Sequence, residues 1–141
     1  MMCNHEECKQ KQKLWFRGTK DLESNEQDLK NLLQDHELAW SLHSEIREDQ
    51  RKIPARQSTE AFREGFCIHF SIYHNLKHGL TQKWLWMGYA KVSTGLYRPL
   101  HLPILYNVTT GLLQVGTVYD PSSKPELWNE DFTIRQCWMV S

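Results

Sequence analysis

Between residues 24 and 52 the apolar side chains fall at helical intervals. Ser24 followed by Gln27 has the letters of a capping box, and Leu29, Leu32, Leu33, His36, Ala39, Trp40, His43 and Ile46 then recur at helical spacing until Pro54 forbids continuation. The pattern predicts one helix over 24–52. Leu29, Leu32, His36, Ala39, His43 and Ile46 alternate steps of three and four, the seam geometry of a helix pair. Leu38 and Leu42 lie on the other side, so this helix is expected to be contacted from two directions.

A second segment supports two periods. In "FCIHFSIYHNLKHG" (66–79), period two separates Phe66, Ile68, Phe70 and Ile72 from Cys67, His69, Ser71 and Tyr73. At about 100° per residue, Phe62, Phe66, His69, Phe70, Tyr73 and Leu76 instead form one stripe. The flanking residues favour a helix over 59–78. Ser58 or Thr59 can cap it, Glu60 and Glu64 occupy early turns, Lys77 and His78 the last, and Gly79-Leu80 resembles a Schellman stop. Gly65 opposes this reading, at a cost of about 1 kcal/mol relative to alanine. Wound as a helix, the segment places Cys67, His74 and His78 at i, i+7 and i+11, in one row away from the apolar stripe.

Beyond residue 81 the pattern changes to aromatic and β-branched runs separated by turn residues. "KWLWMGYAKV", "LLQVGTVYD" and the alternating "FTIRQCWMV" read as strands. "VSTGL" (92–96) and "VTTGL" (108–112) repeat a threonine-glycine turn at the spacing of a β-meander. Pro99 and Pro103 remove ladder donors and push the intervening segment toward an edge or a bulge. The expected fold is α+β: two N-terminal amphipathic helices packed on one face of a C-terminal four-stranded antiparallel β-meander over 82–141. Residues 1–20 are polar and lysine-rich and read as a flexible arm unless Trp15 and Phe16 tie it down, leaving 21–141 as a single domain.

Composition narrows the function classes. The 17 basic and 17 acidic side chains cancel, so no global field draws the molecule to nucleic acid or an anionic membrane. Neither a signal-peptide run nor the ~20 apolar residues needed to span a bilayer is present, and a cytosolic or nuclear protein is expected. Its four cysteines, Cys3, Cys8, Cys67 and Cys137, are then expected as reduced thiols.

Three chemistries are carried by the letters. "CNHEEC" supplies Cys3, His5 and Cys8, and a structural zinc site wants four such ligands in a tetrahedron. The row Cys67, His74 and His78 is the expected source of the fourth, stapling the arm to the second helix; the alternative is no cofactor at all. "HNLKH" has the paired histidines of a zinc-protease helix, but Asn75 stands where the catalytic glutamate belongs. Nucleophilic catalysis lacks a G-x-S-x-G elbow and would need a pair assembled from distant positions, such as Cys137 with His101. Lys83, Trp84, Trp86, Lys91, Tyr97 and Arg98 offer the cation and aromatic mixture that stacks single-stranded nucleic acid, against the zero net charge.

What remains is a non-catalytic module that recognises another protein, by helix-in-groove contact or by strand addition at a sheet edge. A small accessory or host-interaction factor would suit such a chain. Trp40, Trp84, Trp86, Trp128 and Trp138 are its candidate anchors wherever they prove exposed.

Overall fold

A computed structural model describes residues 5–40, 53–77 and 79–138 of the chain. Within them lie three α-helices, α1 (Glu6–Arg17), α2 (Leu22–Asp35) and α3 (Ala55–Glu64). They accompany five strands, β1 (Leu38–Trp40), β2 (Phe66–Asn75), β3 (Gly79–Ser93), β4 (Leu96–Asn107) and β5 (Leu113–Val115). The strands form one sheet in the order β1-β5-β4-β3-β2, antiparallel except for the parallel pair β1 and β5. The α+β class stands, with a five-stranded mixed sheet in place of a four-stranded meander.

Residues 66–75 are a strand, which corrects the expected helix over 59–78. Gly65 ends α3 with an extended backbone, and β2 then pairs with β3 from Phe66↔Met87 to Asn75↔Gly79. Gly79, at φ +79°, supplies the left-handed backbone of the connection. A bulge between Cys67 and His69 resets the alternation. Cys67 consequently joins Phe70 in the core beneath α2 and α3, while Ile68 packs with Leu85 and Met87 on the opposite face.

The first helix is also shorter than the periodicity implies. α2 starts at Leu22 behind Asp21, so the Ser24–Gln27 capping letters fall inside it, and Gln27 bonds Asn31 instead. It stops at Asp35 because His36 turns extended and Leu38–Trp40 pair with Leu113–Val115. A sheet partner overrides helical letters here. The part of the expected helix over 41–52 lies outside the described residues.

Pro99 and Pro103 sit within β4, which is an inner strand, and this corrects their assignment to an edge or bulge. The His101 N–H points away from β3, to the Tyr119 carbonyl, so by alternation the nitrogens at 99 and 103 point the same way. On that side Gly116 N–H donates to the Pro103 carbonyl and His101 exchanges two bonds with Tyr119, and the β3 ladder loses no donor. The two glycine turns are present, with Gly95 at φ +74° and Gly111 at φ +76°.

The sheet is covered on both faces. Leu29, Ala61, Trp84, Trp86, Leu102 and Ile104 build one core under α2 and α3. Cys8, Ile68, Leu85, Met87, Trp128 and Cys137 build another under α1 and the C-terminal segment. The latter is not the strand expected of "FTIRQCWMV". Asn129 accepts from the Thr133 and Ile134 amides, Phe132 takes φ 63°, and only an isolated bridge joins Trp128 to Arg135. Residues 6–17, expected as a flexible arm, are helix α1. Trp15 stacks on His69 with ring centroids 3.9 Å apart and is the tie, whereas Phe16 stays exposed.

Candidate metal centre and open sheet edge

His5 occupies the position before α1, and Cys8 follows three residues later on the same side of its first turn. The C-terminal segment returns to them because the Gln136 and Cys137 amides both donate to the Leu127 carbonyl. Ligand atoms of His5, Cys8 and Cys137 all lie within 4.8 Å of one another. The two sulfurs are 3.8 Å apart, and the Trp138 N–H donates to Cys8 Sγ at 3.3 Å. Both cysteines are buried, at 1% and 9% exposure, while His5 faces solvent.

Arg135 is bound to the segment that carries Cys137. Its Nε donates to the Cys137 carbonyl at 2.9 Å, and its guanidinium lies over the rings of Trp128 and Trp138 at 5.7 and 5.3 Å. Two soft sulfurs and an imidazole nitrogen gathered in this way suit a borderline-soft cation better than a hard one.

The structure redistributes the metal ligands expected from sequence. It brings His5 and Cys8 together and joins them to Cys137, which the spacing could not show because 129 residues separate the two cysteines. Cys67 sits on the other face of the sheet, its thiol donating to the His69 carbonyl and its pKa pushed up to about 11 by burial. It is a neutral core thiol. His74 is exposed, and at ~3.3 Å per residue it stands roughly 23 Å along β2 from Cys67. The expected row is thereby dispersed. Cys3 and His78 lie outside the described residues.

The Cys137–His101 pairing is not made available either. Both ring nitrogens of His101 are committed: Nε2–H donates to the Phe132 carbonyl at 2.8 Å, so Nδ1 accepts from the Tyr119 hydroxyl at 3.1 Å. No ring nitrogen is left to take a proton from a thiol. Burial, the main cause, lowers its pKa to about 4, against smaller opposing effects of the Phe132 carbonyl and Asp120.

Among the expected anchors, Trp84, Trp86 and Trp128 are core residues at 0, 4 and 5% exposure. The first two also spend their indole N–H groups on the Asn25 and Phe62 carbonyls. Trp40 and Trp138 are half-buried. Strand alternation sets Lys83 on the opposite side from Trp84, and Arg98 is paired with Asp120 at 2.9 Å, so these residues form no common stacking platform.

β2 is an outer strand of the sheet, and its outer edge is treated unequally along its length. The Cys67 amide is capped by the Glu26 carboxylate at 2.8 Å, and the Phe70 amide by the Gly18 carbonyl at 2.9 Å. By alternation the Ile72 and His74 amides point the same way as that of Phe70, and none of the described residues covers them. Around this open half, Ile72, Tyr73, Leu76 and Leu80 are exposed. The two-residue alternation over residues 66–73 is the signal for this strand, outweighed by the helical flanking residues.

No helix of the described residues is long and apolar enough to cross a membrane. Comparison with models of protein families, with curated proteins and with solved structures found no match.

Proposed function

We propose that the protein is a non-catalytic recognition module that captures an extended segment of another protein along the open half of β2. The observation that carries this reading is the contrast along one edge. Exposed strand edges template pairing with other chains, and proteins usually blunt them by cover, charge, proline or bulges. Glu26, Gly18 and the bulge protect the inner half of β2; along the outer half the Ile72 and His74 amides, among apolar side chains, meet no cover from the described residues. Main-chain bonds would supply affinity, and Ile72, Tyr73 and Leu80 would read alternate side chains of the incoming strand.

The committed nitrogens of His101 and the neutral thiol of Cys67 support a role without catalysis. A cytosolic or nuclear setting goes with this reading, since a reducing compartment keeps closely spaced cysteines from oxidising.

Display of randomised peptides against the full chain tests the proposal. Enriched peptides should alternate apolar and polar residues and lose binding to Ile72→Pro, which blocks the outward amide without removing a β3 bond. Equal binding to Ile72→Pro contradicts edge capture. So does a concentration-dependent dimer that disappears in the same variant, because the occupant is then a second copy.

A further inference from the structure

We infer that His5, Cys8 and Cys137 hold a zinc ion that staples the start of the chain to its C-terminal segment. The sulfur separation is the first argument. Two thiolates at about 2.3 Å from zinc, subtending a tetrahedral angle, stand about 3.8 Å apart, whereas a disulfide requires about 2.05 Å. The observed Sγ–Sγ distance is 3.8 Å.

The surroundings of the sulfurs give the second argument. The Trp138 N–H directed at Cys8 Sγ is the kind of outer donor that supports a metal-bound sulfur. Arg135 Nε, bonded to the Cys137 carbonyl, fixes the backbone that carries the second sulfur.

The third argument concerns what the ion would do. α1 has twelve residues, of which Cys8 is the only fully buried one, and its apolar docking rests on Trp15 near the other end of the helix, so the first turn has no apolar anchor besides Cys8. Metal binding energy can replace missing core. A zinc ion here joins elements 129 residues apart and keeps α1 over the sheet face opposite α2. Three protein ligands leave one tetrahedral corner. This inference is independent of edge capture.

Elemental analysis of the full chain, purified without chelator, should find about one zinc per molecule, as a single tetrahedral site holds. Cys8→Ser and Cys137→Ser should reduce it to background, and Cys67→Ser should leave it unchanged. Cobalt exchanged into the wild-type chain should show thiolate-to-metal charge transfer and tetrahedral visible bands, a readout that does not depend on the variants folding. A wild-type chain without metal, a Cys8–Cys137 disulfide, or metal lost only in Cys67→Ser overturns the site.

Discussion

His101 shows how one side chain fixes the geometry around it. Held neutral between the Tyr119 hydroxyl and the Phe132 carbonyl, it ties β4 to a loop residue at positive φ. With a folded pKa of about 4 against an ordinary 6.5, the unfolded chain binds the proton first as pH falls. His101 therefore contributes its full stabilisation above pH 6.5 and loses it progressively toward pH 4, by about 3 kcal/mol in total. His69, stacked on Trp15 and lowered to about 4 mainly by burial, acts in the same direction. Urea unfolding across this window should show stability rising with pH, and ring nuclear magnetic resonance of His101 should show no protonation until near pH 4. A native ring titrating near 6.5 contradicts the account. Gly88 makes a steric prediction. A Cβ there would enter the backbone carbonyl of Ala61 in α3, so Gly88→Ala should destabilise by about 2 kcal/mol or more. Gly116→Ala, meeting Pro103 Cβ at 3.4 Å, should be far milder in the same thermal melt.

At the level of elements, the hairpin turns and the α+β class were legible in the sequence because they rest on local chemistry: glycine at positive φ, β-branched runs, and proline at a helix boundary. β2 was not. Its letters fit both periods, and the bulge at Cys67 and His69 breaks the two-residue alternation that would have identified a strand. β1 was hidden for a different reason, since Leu38–Trp40 pair with β5 some 75 positions away and carry helical spacing. In the candidate site, the local pair His5 and Cys8 could be read, whereas Cys137 is brought to them only by the path of the C-terminal segment. Trp15 offers a test at this scale. Its stack on His69 and the His69 Nε2–H bond to its carbonyl secure α1, so Trp15→Ala should lower stability by about 3 kcal/mol or more, with loss of protection concentrated in residues 6–17. Uniform loss of protection in hydrogen exchange would argue against a local tie.

Across the whole molecule, two cores divide the labour. α2 and α3 seal one face of the sheet; α1 and the C-terminal segment seal the other and bring the thiols together. The open half of β2 lies at the margin of both, so recognition should be separable from folding. Ile72→Pro should keep the melting temperature close to that of the parent while abolishing peptide capture. Hydrogen exchange at the Ile72 and His74 amides, compared between the free protein and its complex with an enriched peptide, tests edge capture most directly. Both amides should exchange rapidly in the free chain and become strongly protected in the complex; unchanged exchange at these two positions, with protection arising elsewhere, would contradict it.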